Sequence, residues 1–249
     1  MPTLSQLYYY PVKGLQGVAL NRIAASAGER LPFDRRYAIG DQTTAFDPAN
    51  PCHIKKQNLV VQMKHEKLAA LAIGFEPATA TLTVAERNTS HRFALESPDG
   101  HDAFERFMSD YLGEAIQGPA RLISAPGLAF TDLSHQSVSL INLNSVMALQ
   151  DALGYPIDPR RFRANLYLDG VPAWEEETWL GKTLEISGVR IRIYRITDRC
   201  AAINVDPQNA RRDKTLQGMK KAFGHLNMGV YGMIESNGEL VAGSEFEQP

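Results

Sequence analysis

Apolar residues occupy every second position along Val189-Arg190-Ile191-Arg192-Ile193-Tyr194-Arg195-Ile196, the period of a half-buried β-strand. Similar alternation, or a short apolar run closed by Gly or Pro, predicts strands at 4–10, 79–85, 91–95, 120–124, 138–141, 166–168, 184–187 and 229–234. Further extended segments are expected over 17–24 and 33–41. Helical spacing appears at 98–111, where Phe104, Phe107, Met108 and Tyr111 form one stripe and Gly113 ends the run. Asn142 is placed to cap a second helix bearing Val146, Leu149 and Leu153, stopped by Gly154. A third helix is expected over 211–223, and Asn237-Gly238 reads as the turn of a terminal hairpin. Residues 42–54 read as an irregular loop, and 55–71 fit a helix or a strand equally well. Gln117-Gly118-Pro119, between a helix and a strand, is the best candidate domain boundary.

Composition narrows the function classes. At 249 residues the chain can bury one large β core or two modest ones. A net charge of −2 carries no basic excess, which argues against nucleic acid as the main partner. No apolar run reaches membrane-span length, and the N-terminus has no signal-peptide pattern. Cys52 and Cys200 are the only cysteines. They cannot build a disulfide framework or an ordinary four-cysteine iron–sulfur cluster, so a reducing, cytoplasmic setting is expected. There is no Walker loop, no G-x-G-x-x-G fingerprint and no H-x-x-x-H pair.

The candidate chemistry lies in four places. Cys200 follows the alternating strand, on a loop closed by Asp206-Pro207, with Asp198 and Arg199 before it. A neighbouring arginine favours the thiolate, the form that attacks electrophiles and binds soft metals. A lone cysteine is by burial habit more often a small hydrophobe. Lys13-Gly14 forms a turn suited to an anion contact or to simple solvation, with Gly14 allowing close backbone approach. Asp34-Arg35-Arg36 opens a strand and is readily explained as a surface ion pair. Arg160, Arg161 and Arg163 form the densest positive charge in the chain. If strand pairing begins there, Arg161 and Arg163 share a face, and arginines suit phosphate through forked hydrogen bonds. The acids Glu175–Glu177 are explained by the dipole of a short helix.

Taken together, these pieces resemble the MOSC superfamily, the molybdenum-cofactor sulfurase C-terminal domain. The closest likeness is to the subgroup in which a smaller β-barrel precedes the MOSC domain, as in the mitochondrial amidoxime-reducing component and its bacterial relatives. The resemblance rests on Tyr10-Pro11-Val12-Lys13-Gly14-Leu15, Asp34-Arg35-Arg36-Tyr37, Arg161-Phe162-Arg163-Ala164-Asn165, Arg199-Cys200 and Val205-Asp206-Pro207, in that order. It departs from the family's usual residues at Gly14 (serine), Ala164 (proline), and Ile203 and Asn204 (threonines). Gln208-Asn209-Ala210 replaces the family's Thr-Gly pair after Pro207.

The resemblance implies a mainly β fold with some α: two β-barrel-like domains, residues 1–117 and 118–249, with a cofactor cleft between them. It implies a molybdenum cofactor in its molybdopterin form, with Cys200 as thiolate ligand and catalytic centre. Lys13, Gly14, Arg35, Arg161, Arg163, Asn165, Asp198 and Arg199 would surround the pterin and its phosphate. The implied activity is reduction of N-hydroxylated compounds such as amidoximes or hydroxylaminopurines. Electrons would come from a separate ferredoxin, flavodoxin or cytochrome. The alternative is a non-catalytic carrier of the cofactor, or of sulfur as a Cys200 persulfide. Pyridoxal phosphate belongs to the sulfurase partner domain, and no lysine motif for it is found here.

Overall fold

The computed structural model describes every residue except Arg87 and Ser134. The strands, in chain order, are β1 (Thr3–Tyr9), β2 (Val12–Lys13), β3 (Val18–Leu20), β4 (Arg22–Ala25), β5 (Tyr37–Gly40), β6 (Ala72–Glu76), β7 (Thr81–Glu86) and β8 (Thr89–Ala94). After helix α1 (Pro98–Leu112) come β9 (Arg121–Ser124), β10 (Val138–Asn142), helix α2 (Leu143–Leu153) and β11 (Leu166–Asp169). The chain ends with β12 (Thr183–Ile186), β13 (Val189–Asp198), helix α3 (Thr215–Phe223), β14 (Asn227–Ile234), β15 (Gly238–Val241) and β16 (Phe246–Glu247). The protein is mainly β, as expected.

The alternating run around Ile191 and Ile193 is the long β13, whose apolar side chains point into the main core. It belongs to an eight-stranded sheet in the order β16-β12-β13-β14-β10-β11-β1-β3. The C-terminus curls this sheet back on itself. β16 pairs with β12, while Thr3 bridges Glu245 and Leu4 N–H donates to Ser244 O. Leu4, Leu140, Leu166, Ile191, Trp179 and Phe246 fill the interior, all less than 5% exposed. Helices α2 and α3 cover the outer face through Val146, Leu149 and Met219 against Ile141, Tyr167 and Met228. Burying a side chain of this size contributes roughly 1.5–3 kcal/mol, so the curled sheet is the main reservoir of stability.

A second core packs α1 and the β6-β7-β8 meander against β5. Here Phe104 and Met108 of the expected stripe meet Leu82, Phe93 and Tyr37. Ser97 caps α1 by accepting from Gly100 N–H, and Asn142 caps α2 by accepting from Asn144 N–H. The two halves of the sequence interleave: β1 and β3 join the main sheet, while β9 pairs with β5 in the smaller β2-β5-β9 sheet.

Several expectations change. Residues 55–71 form neither an α-helix nor a strand but a loop with short 3-10 helical turns at Lys56–Asn58 and Glu66–Ala70, and β6 follows it. Helix α3 starts at Thr215, because Arg212 is bridged to Val205 and Asp213 accepts from Thr215 N–H. The terminal hairpin does not form. Asn237 and Gly238 lack the positive φ that such a turn needs, Asn237 Oδ1 accepts from Ala27 N–H, and β15 pairs with β4. Glu176 is fully buried and accepts from Asn142 and Ser145, so it braces the fold rather than answering a helix dipole.

Candidate functional site

A cleft of about 980 Å³, open mouth included, lies where the two cores meet. Its N-terminal wall carries Lys13, Gly14, Asp34, Arg35 and Lys56, with Asp132 on the loop beyond β9. Its C-terminal wall carries Arg161, Arg163, Asn165, Asp198, Arg199, Cys200 and Tyr231. The fold therefore brings every residue expected from the sequence to one cavity, although their roles there divide.

Lys13 is held in the short parallel pairing of β2 with β5, opposite Ala38, and is 7% exposed. Its Nζ donates to Asp132 Oδ1 at 2.6 Å. Burial pushes the Lys13 pKa down, and Asp132 opposes that shift. Lys56 reaches the same carboxylate at 2.9 Å and Cys200 Sγ at 3.5 Å. Burial opposes the charge on Lys56, but Asp132 and Cys200 outweigh it and raise the pKa. Burial likewise works against the Asp132 anion, yet the two lysines hold its carboxyl well below the usual carboxylate range. Sequence reasoning missed both Lys56 and Asp132. Neither carries a local signal, because each acquires its role by meeting residues 76 to 144 positions away.

Arg35 and Arg163 both have left-handed backbones, φ 50° and 53°, a conformation uncommon for non-glycine residues and one that clusters at functional sites. Both guanidinium groups lie over the Tyr10 ring, 4.3 and 4.6 Å from its centroid. Arg35 pairs with the buried Asp34 and donates to Arg163 O, while Arg163 donates to Leu15 O. Arg163 has no carboxylate partner among the described residues; burial lowers its pKa, and Arg35 adds to that shift. Arg199 is similar: it donates to Met228 O and Phe162 O, and burial lowers its pKa.

Arg161 and Arg163 do not share a strand face. Residues Pro159–Phe162 form a tight turn, and the left-handed Arg163 re-aims the chain. Arg161 lines the cleft, but its guanidinium is committed to Asp213 at 2.6 Å and Asp206 at 3.0 Å, and also donates to Ile203 O. It ties the loop after Cys200 to the start of α3. Asn165 also fastens the wall: its Oδ1 accepts from Ser139 N–H and Oγ–H, and its Nδ2 donates to Tyr8 O. Gly14 has φ +94°, and a Cβ there would lie 2.9 Å from Val60 O. The backbone it admits is thus the protein's own. Asp198 is an exposed rim residue at the end of β13. Thr197 Oγ1 is buried at the cleft without a hydrogen-bond partner among the described residues. Cys52 is exposed on the 42–54 loop and is not among the cleft-lining residues.

Residues 117–247 match the family model for the MOSC domain, and residues 1–115 match that for the MOSC N-terminal beta barrel domain. The chain is 26% identical over 254 aligned residues to the molybdenum cofactor sulfurase of Drosophila erecta, and 25% identical to that of Drosophila melanogaster. Each alignment covers 92% of this chain but 31% of the relative, so the chain spans about a third of their length. Among solved structures, the YUAD protein from Bacillus subtilis aligns over 99% of this chain and 94% of its own, at 12% identity and a TM-score of 0.49. YiiM from Geobacillus stearothermophilus aligns over 44% of this chain and 52% of its own, at 16% identity and a TM-score of 0.33. The two family matches cover nearly the whole sequence, and the chain belongs to the MOSC domain family, related to molybdenum cofactor sulfurase.

Proposed function

We propose that the cleft holds the molybdenum cofactor in its molybdopterin form, with Cys200 as the protein's thiolate ligand. The observation that carries this reading is the charge of the wall. With Arg161 already neutralised by Asp206 and Asp213, five cations (Lys13, Lys56, Arg35, Arg163, Arg199) face three carboxylates (Asp34, Asp132, Asp198) around one partly buried thiol. A phosphate monoester brings up to two negative charges, which such a surplus offsets. Soft thiolate and a cationic cradle in one cavity suit a metal–dithiolene group that carries a phosphate. In this reading Lys13, Arg35, Arg163 and Arg199 supply charge, Gly14, Arg161 and Asn165 hold the wall in shape, and Asp198 sits at the rim. Residues 1–117 and 118–249 contribute the two sides.

The reaction proposed is reduction of N-hydroxylated compounds such as amidoximes and hydroxylaminopurines in a cytoplasmic setting. An amidoxime, two electrons and two protons give the amidine and water. When bound, the cofactor supplies the two-electron oxygen-acceptor chemistry. The protein's part is to fix the sulfur, neutralise the phosphate and keep the Lys56 ammonium beside Cys200 while Asp132 anchors that lysine. Electrons come from a separate ferredoxin, flavodoxin or cytochrome. A second reading, a carrier of the cofactor or of sulfur as a Cys200 persulfide, draws support from the sulfurase names of the relatives.

Elemental analysis after expression in cofactor-producing cells tests the assignment. About one molybdenum per chain is expected, lost in Cys200→Ser. Folded protein without molybdenum overturns the assignment. Molybdenum without turnover of any N-hydroxylated compound, together with cyanide-labile sulfur, favours the carrier.

A further inference from the structure

The loops flanking the cleft mouth differ sharply in charge from the rest of the chain. Residues 53–66 contain Lys55, Lys56 and Lys64 against Glu66, and residues 205–214 contain Arg211, Arg212 and Lys214 against Asp206 and Asp213. Six cations against three carboxylates give these loops a net +3 on a chain whose total is −2, leaving −5 elsewhere. Their contacts place both segments at the mouth. Lys56 reaches Cys200, while Arg212 donates to the carbonyls of Gln62 and Met63, two cleft-lining residues. Ala202 and Ile203, just before the second loop, line the cleft as well.

Most of this charge faces solvent. Lys55, Lys64, Arg211, Arg212 and Lys214 are all exposed. The carboxylates nearby are already neutralised, Asp206 and Asp213 by Arg161 and Glu66 by Arg212. Among the described residues, Lys55, Arg211 and Lys214 make no ion pair. The result is an uncompensated positive collar beside the thiol, on an otherwise acidic molecule.

We propose that this collar is the docking surface for a small acidic electron-transfer protein of the flavodoxin or ferredoxin type. The inference rests on the proposed reductase reading and adds where the donor binds. A donor must bring its redox centre close to the cleft, and the collar borders the opening through which Cys200 is reached. Complementary charge raises the rate of productive encounter without a large contact area, which suits a partner that must dissociate after each transfer. The net negative charge of the remaining surface disfavours docking of the same acidic partner elsewhere.

The test uses the molybdenum-containing protein and the triple variant Lys55→Glu/Arg211→Glu/Lys214→Glu, which leaves the cleft-facing side chains in place. Amidoxime reduction is driven either by reduced flavodoxin or by a reduced mono-sulfonated viologen, whose radical-cation and sulfonate charges cancel to zero and make it blind to the collar. With flavodoxin, kcat/KM of the variant at low salt is expected to fall at least about tenfold, and that of the wild type to fall as salt screens the pair. With the viologen, the variant should match the wild type. If flavodoxin drives both proteins equally while the viologen does too, the docking surface is refuted and the reductase reading stands. If the variant retains less molybdenum, the collar serves cofactor loading and the proposal fails. If the molybdenum-loaded wild type reduces nothing with the viologen, the reductase reading falls and takes the docking proposal with it.

Discussion

Arg161 and Arg163 stand two residues apart, yet the structure gives them unequal shares in stability, which the cofactor-free protein can reveal. The Arg161 side chain is 3% exposed and donates to Asp213 at 2.6 Å and to Asp206 at 3.0 Å. A hydrogen bond to a charged partner is worth about 1.5–3 kcal/mol. The two carboxylates are 32% and 24% exposed, so water can partly replace the lost donor, and the lower end of the range applies to each. Arg161→Met keeps the apolar stem and removes both bonds, for a cost of about 3 kcal/mol. For a chain of this length that corresponds to a fall in melting temperature of about 6–12 °C. Arg163→Met loses one bond to a backbone carbonyl and the contact with Tyr10, so its cost in the same protein is about 1 kcal/mol. Melting of the two cofactor-free variants, followed by circular dichroism, checks the ordering. If Arg161→Met melts within about 2 °C of wild type, the side chain is not the brace described here.

Two other perturbations follow from the same geometry. Gly14→Ala places a Cβ 2.9 Å from Val60 O at a φ of +94°, and should cost more than about 1 kcal/mol; an unchanged urea midpoint would contradict this. Asp132 has a depressed pKa in the fold, with Lys13 and Lys56 overcoming the opposing effect of burial. Its stabilisation is therefore complete above the unfolded carboxylate value of about 3.9 and is lost as pH falls through the folded value. Asp132→Asn should lower stability at neutral pH by about 1 kcal/mol, a modest figure because the side chain is 41% exposed. The gap between variant and wild type should close as pH drops below about 4. A gap of constant size down to pH 2 would show that the ion pairs do not carry it.

The sequence alone determined what short-range periodicity can encode. Alternation from Val189 to Ile196 set β13, the Phe104–Met108 stripe set the buried face of α1, and Asn142 and Gly154 marked the ends of α2. Each of these is a pattern of neighbours within one element, so one-dimensional reading recovers it. The motif residues around Lys13, Arg35, Arg163 and Cys200 were equally legible as a set. Their division of labour was not. Whether an arginine faces a cavity or an aspartate depends on backbone φ at Arg163 and on where Asp206 and Asp213 lie, and no periodicity reports either. Lys56 and Asp132 sit in loops without pattern, and only the folded chain brings Lys56 to both Asp132 and Cys200. Asn237-Gly238 shows the reverse case, a strong local turn signal overridden because β4 offers β15 a partner. Local structure is written in nearest neighbours, whereas the cleft is made by contacts across as many as 157 residues, such as Asn165 to Tyr8, which only the folded chain decides.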